Sequence, residues 1–316
     1  ENRHFFLAHY FRDNYDRVLR QYPFINSNVQ ITRVEVWITN RNSNTENVRN
    51  IVALQDIGES RGENIGLPQA PGGFVNRPGN AFPDNANNDF NPFGINGGPQ
   101  SLLTPAIRDV ATVAQGFGGV RVSEGIDYAI LENARRLQPN EYQLNSQLGY
   151  ISLNQRLNND EVLGVSFQFT VNGEVYQVGE FSTDGVEATG TTGTGGVGGG
   201  DPGGEEIPIS QNLVVKMLKS NITNVNEPVW DLMMKNIYPL GAFQLEQEDF
   251  RMNILYLDPS PLNYISPVAG TDFPEPTNEM NAVDVENATL LRLFNLDRLN
   301  YNGDPQPGGD GFFDFL

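Results

Sequence analysis

A chain of 316 residues with no cysteine and a formal net charge of −19 is long enough for one large or two ordinary domains. Disulfides, thiol nucleophiles and cysteine-bound zinc are excluded, and the acidic balance repels nucleic-acid phosphates and anionic lipid heads. No run approaches the roughly 18 apolar residues of a membrane helix, and ENRHFFLAHYF lacks a signal-peptide pattern, so the chain itself is not expected to span a membrane.

In chain order, His4 to Tyr22 spaces Phe6, Tyr10, Phe11, Tyr15, Val18 and Leu19 at about one helical turn, which predicts an amphipathic helix ended by Pro23. Ile31 to Thr39 alternates as a strand, and Ile51 to Ile57 reads as a second, expected to pair with it across Asn40 to Asn50. Gly58 to Gln100 is dense in Gly, Pro, Asn and Asp and reads as a long loop. Helices are predicted after Thr104-Pro105 and over Tyr128 to Leu137. Glu161 to Phe181 then carries two alternating runs around Asn172-Gly173, a type I′ hairpin signal. Its register pairs Val171 with Glu174, Phe169 with Tyr176, Phe167 with Val178 and Val165 with Glu180.

Thr189 to Gly204 is Gly-rich. Its formal GxGxxG at Gly193, Gly195 and Gly198 is rejected as a cofactor turn because DPGG follows where a helix N-terminus is needed. Beyond it, Leu213 to Leu218 reads as a strand, Pro228 to Tyr238 as a helix, and Phe250 to Leu257 and Leu290 to Leu296 as strands. A helix, Pro, strand order recurs at Pro23, Pro139 and Pro239; repeated α/β units and chance recurrence of a common helix ending stand as equal readings. The expected fold is α+β, with antiparallel, sandwich-like sheets and three to five short packed helices. The expected division is a first subdomain over 1–188, a linker over 189–204 and a second subdomain over 205–316.

Catalytic motifs are absent: no GxSxG, HExxH or GxxxxGK[ST] occurs. His4 and His9 lie five apart, off the spacing of ligands sharing a helix face. Among 39 acidic residues, pairs such as Glu246 with Glu248 or Asp16 with Glu35 carry little weight as glycosidase carboxylates. The one candidate site is DRLNYNGDPQPGGDGFFD, where Asp297, Asn300, Asn302, Asp304, Asp310 and Asp314 supply oxygen donors of the kind calcium favours. The spacing is not that of an EF-hand, and a solvated Asx and Gly turn is the alternative. No other cofactor is expected.

Several stretches together resemble one family: NRHFFLAHYFRDNYDRVL, ITRVEVWITN with NVRNIVALQDIGE, LGYISLNQRLNNDEVLGVSFQFTVNGEVYQVGEFS, VWDLMMKNIYPLGAFQLEQEDFRMNILY, and LFNLDRLN with DGFFDF. These are similar to the SprA (Sov) family of Bacteroidota, the large outer-membrane barrel of the type IX secretion translocon, which also supports gliding motility. The resemblance implies an internal soluble region of a longer chain, on the extracellular or periplasmic side of the outer membrane. The implied partners are the remainder of the barrel, other type IX components and secreted cargo, and the implied role is a cap, gate or partner-docking domain. A carbohydrate-binding or adhesive surface module is the second expectation, and a glycosidase-like enzyme the third.

Overall fold

A computed structural model describes residues 2–21, 23–41, 46–59, 103–184, 189–192, 207–235, 237, 240–241, 244–248, 250–257, 260–273, 285, 288–306 and 308–314. Along the chain these form β1 (His4–Phe6), α1 (His9–Val18), β2 (Val29–Ile38), β3 (Val48–Leu54), β4 (Tyr128–Arg136), β5 (Tyr142–Asn145), β6 (Tyr150–Leu153), β7 (Leu163–Val171), β8 (Glu174–Val178), β9 (Thr189–Thr192), β10 (Ile207–Ser210), β11 (Leu213–Lys219) and α2 (Leu290–Leu293). The chain divides into two compact units, Glu1–Asp16 with Ser27–Tyr238, and Arg17–Asn26 with Pro239–Leu316.

In the first unit the hairpin forms as its turn residues dictate. Asn172 and Gly173 take positive φ of 52° and 88°, which a type I′ turn demands, and β7 meets β8 through Val171↔Glu174, Phe169↔Tyr176 and Phe167↔Val178. Beyond Val178 the expected register stops: Val165 pairs with Lys216 of β11, and the Glu180 amide donates to the Val214 carbonyl at 2.9 Å. One edge of β7 therefore runs along β2, while the other is divided between β11 and β8.

That division closes the sheet. The order β11-β3-β4-β2-β7 returns to β11, giving a five-stranded barrel with β8 as an appended strand. β3 joins β11 in parallel; the other ladders of the barrel are antiparallel. β2 does not pair with β3 as expected. β4 lies between them and gives β2 only Arg135 and Arg136.

The lumen is filled, as a barrel this narrow requires. A Cβ on Gly164 of β7 would come 2.9 Å from Val215 Cγ2 and 3.4 Å from Ile51 Cδ1. Because Ile51 belongs to β3, which β7 does not touch in the sheet, that face looks inward. Residues paired across strands share a face, so Trp37, opposite Gly164, and Glu35, opposite Ser166, point inward too. Trp37 is buried, and the bare Gly164 opposite it leaves room for the Val215 and Ile51 side chains.

The outer face of β7 is apolar and covered. Phe167 meets Phe11 of α1 edge-on at 6.5 Å and Phe169 stacks on Tyr176 at 5.3 Å. A small sheet, β1-β6-β5, lies in the same core through Phe5 and Ile151. Gly149 precedes β6 with φ of 64°, and a Cβ there would strike the Phe11 ring at 2.1 Å, so only glycine lets the helix seat.

The α+β expectation is corrected to a mainly β fold with two α-helices among the described residues. Tyr128 to Leu137 is a strand, not a helix, despite its Ala, Leu, Glu and Arg content. Asn133 takes φ of 52° at a bulge between Arg49↔Ala134 and Ile51↔Leu131. The extra residue puts Leu131 and Ala134, three apart, on one face and so imitates helical spacing. Thr104-Pro105 and Pro228 each open only a 3-10 turn, Pro105–Arg108 and Pro228–Leu232.

In the second unit, Leu290 to Leu296 begins as the single turn α2 rather than a strand, capped by Thr289 Oγ1 accepting from the Arg292 amide at 3.3 Å. Among the described residues, Phe250 to Leu257 makes no ladder, only a bridge from Tyr256 to Leu262. Repeated α/β units are not present among the described residues, since β4 rather than a helix precedes Pro139. Most of the loop expected over 58–100, the GxGxxG glycines, most of the 189–204 linker, and Pro239 lie outside the described residues. β9 falls within that linker and pairs with β10, and β11 after it completes the barrel.

Candidate functional site

Two arrangements of charged side chains stand out in the first unit, both internal. On the outer face of β11, Lys216 is fully buried. Its ammonium donates to Glu59 Oε1 at 2.7 Å, the Ile57 carbonyl at 2.8 Å and the Gln55 carbonyl at 3.3 Å, three acceptors for three N–H groups. The same Glu59 oxygen accepts the His9 amide at 3.3 Å and lies 2.9 Å from His9 Nδ1, while His9 Nε2 donates to the Pro228 carbonyl at 2.9 Å. Burial raises the Glu59 carboxyl, but Lys216 and then His9 outweigh it and hold it below the ordinary value. This cluster ties the start of α1, the segment after β3, and β11 together.

The second arrangement occupies one end of the lumen. Glu35 accepts from the Ser182 amide and hydroxyl, both at 2.9 Å, and from Arg136 at 3.2 Å. Glu180, fully buried, holds both terminal nitrogens of Arg108 at 2.5 Å and the Val214 amide at 2.7 Å. Burial pushes the Glu180 carboxyl up, against the pull of Arg108. Glu35, named above as one of a glycosidase pair, is thus enclosed in structural bonds. The two histidines serve structure as well: His4 Nδ1 lies 2.8 Å from Ser152 Oγ.

In the second unit the predicted oxygen-donor loop folds on itself. Asp297 Oδ1 accepts the Asp310 amide at 2.8 Å and Oδ2 the Gly311 amide at 3.1 Å. Reciprocally, Asp314 Oδ2 accepts the Arg298 amide at 2.6 Å and Oδ1 the Leu299 amide at 3.1 Å. Asn300 Oδ1 takes the amides of Asn302 and Asp304 at 2.9 and 3.0 Å, and Asp310 Oδ1 that of Phe312 at 3.0 Å. Asp297, Asp310 and Asp314 are therefore brought together, whereas Asn302 and Asp304 sit exposed at a turn tip. Among the described residues no group of three or more His, Asp and Glu is arranged to hold a metal.

Asp297→Ala is expected to break two part-buried, charge-assisted hydrogen bonds to the Asp310 and Gly311 amides and cost about 1–3 kcal/mol. Faster amide exchange at Asp310 and Gly311 would show it, and unchanged protection there would contradict it.

Beside this loop lies a pocket of about 160 Å³ lined by Phe250, Tyr301, Phe312 and Phe313 with Asp310 and Asp314. Phe250 and Phe313 stand 5.7 Å apart at 56°, and the Arg251 guanidinium lies 4.5 Å from the Phe312 ring centre. Burial raises the Asp314 carboxyl; its two backbone amides oppose this, and the nearby Asp297 and Asp310 add to it. The Asp and Gly content made the loop legible in sequence. Phe250 and Arg251 arrive from almost fifty residues earlier, and the only signal of the aromatic wall was the run DGFFDF.

Residues 1–158 match the family model SprA_N, described as motility related/secretion protein, and no curated protein matches the chain. The matched half contains α1, the whole β1-β6-β5 sheet and three of the five barrel strands. The chain belongs to this family of motility-related secretion proteins, which gives it a general role in secretion or motility at the cell envelope.

Proposed function

We propose that this chain is a non-catalytic domain inserted in a type IX outer-membrane translocon, where it borders or caps the protein-conducting pore or docks a partner beside it. The observation that carries the reading is the filled barrel. With Trp37, Ile51, Val215 and the Glu35 and Glu180 networks inside it, the five-stranded wall is a solid body. Such a body obstructs or lines a wider channel and conducts nothing itself. The charge of −19 suits a hydrated surface past which unfolded cargo moves without sticking.

A photo-crosslinking residue placed at the exposed positions Val175, Ile222 and Tyr301 of the full-length protein tests this in secreting cells. Adducts with the remaining barrel, a type IX component or cargo in transit are expected. Absence of adducts at all three positions would overturn the reading. A carbohydrate-binding role is favoured by one observation, the exposure of Tyr301 and Phe312 beside the second unit's pocket, and retention on a polysaccharide matrix would support it.

A further inference from the structure

We propose that the aromatic and acidic pocket of the second unit binds a lysine or arginine side chain presented by a basic peptide segment of a partner protein. The inference stands whether or not the translocon reading holds. Four aromatic rings line a space of about 160 Å³, on the scale of one long side chain. Two of them offer surface to water: Tyr301 is 76% exposed and Phe312 46%. An aromatic face attracts a cation through its quadrupole, and the chain already uses one of these faces so, with the Arg251 guanidinium 4.5 Å from the Phe312 ring centre.

Charge points the same way. The lining carries the carboxylates of Asp310 and Asp314 against the single guanidinium of Arg251, and Asp297 stands directly behind them. Each carboxylate offers about four acceptor positions; backbone amides occupy two on Asp314 and one on Asp310, so acceptor capacity remains on both. The wider unit holds thirteen Asp and Glu against five Arg, a field that steers basic segments toward it.

Two other occupants fit less well. A hard metal ion needs about six to eight oxygen ligands, and the lining offers the carboxylates of only Asp310 and Asp314 among four rings. A sugar ring stacks on a flat platform, while Phe250 and Phe313 meet at 56°.

Calorimetric titration of the 316-residue chain with a synthetic peptide of alternating Gly and Lys, against the matching Gly and Glu peptide, tests the proposal. Saturable binding of the Lys peptide alone is expected, weakening as salt rises. Tyr301→Ala and Asp310→Asn should each raise its Kd about tenfold. Neither change is expected to move the melting temperature, because Tyr301 is exposed and Asn keeps the Oδ1 that accepts the Phe312 amide. No saturable binding would overturn the proposal, as would affinity unchanged in both variants, which would mean general attraction to an acidic chain. Retention on polysaccharide that the same variants abolish would overturn it in favour of a sugar.

Discussion

Glu59→Ala is expected to destabilise the chain by about 3–5 kcal/mol, the cost of leaving one partner of a buried pair alone. Lys216 has no exposed surface and its ammonium bonds to a single carboxylate, with two carbonyls completing its shell. Without Glu59 that charge stays buried among dipoles, and the His9 amide and ring lose their oxygen as well. The double variant Glu59→Leu with Lys216→Met removes both charges at similar volume and should recover most of the loss, since desolvating the pair offsets much of its attraction. Urea denaturation monitored by tryptophan fluorescence measures both. A loss below about 1 kcal/mol for Glu59→Ala would mean the pair is not closed in solution.

The same cluster sets a direction with pH. Because Lys216 and His9 hold the folded-state Glu59 carboxyl below its ordinary 4.5, the stability it supplies is fully present above that value. It is lost as pH falls through the lower folded value. Glu180 acts oppositely: burial raises its carboxyl, so its contribution falls as pH rises above 4.5. The acid limb is therefore best read as a difference. Wild type should lose more stability than Glu59→Gln between pH 5 and the folded value, and parallel curves would contradict the assignment.

Trp37→Ala is expected to cost about 3–5 kcal/mol, the range for emptying a large aromatic site in a packed interior. The ring fills the lumen opposite Gly164, and neighbours fixed in strand ladders on every side relax little into the gap. Trp37→Phe should cost much less. The indole Nε1 is buried with no hydrogen-bond partner among the described residues, so Phe forfeits volume but no bond. If Trp37→Ala proved nearly neutral by the same denaturation measurement, the lumen would not be packed at this level and the solid-barrel argument would fail.

Local chemistry was legible where it acts alone. Asn172-Gly173 specified the hairpin and its register to Val178, and the alternation of ITRVEVWIT specified β2. The register failed at Glu180 because a strand from over thirty residues later, β11, competes for the edge of β7. No local signal encodes that competition, and it is the step that turns a sheet into a barrel. Tyr128 to Leu137 failed for a different reason: the Asn133 bulge rewrites a period of two as a spacing of three. Phe250 to Leu257 alternates like a strand yet finds no ladder among the described residues, leaving Leu255 and Leu257 exposed.

At the candidate sites the pattern repeats. The run LVVKML reads only as a strand; the lysine inside it is the one local sign of a buried partner, and only folding shows that Glu59 and His9 meet there. The oxygen-rich loop was visible as Asp, Asn and Gly. Its carboxylates read either as donors for an ion or as part of a solvated turn; only the fold shows that Asp297 accepts the Asp310 and Gly311 amides and Asp314 those of Arg298 and Leu299.

The most direct test of the proposed role is to delete residues 1–316 from the longer protein which that proposal places them in, and to measure secretion of a type IX cargo together with outer-membrane permeability to a large antibiotic. A solid domain bordering or capping the pore predicts that secretion falls, the membrane leaks, or both. Unchanged secretion across an unchanged barrier would contradict it.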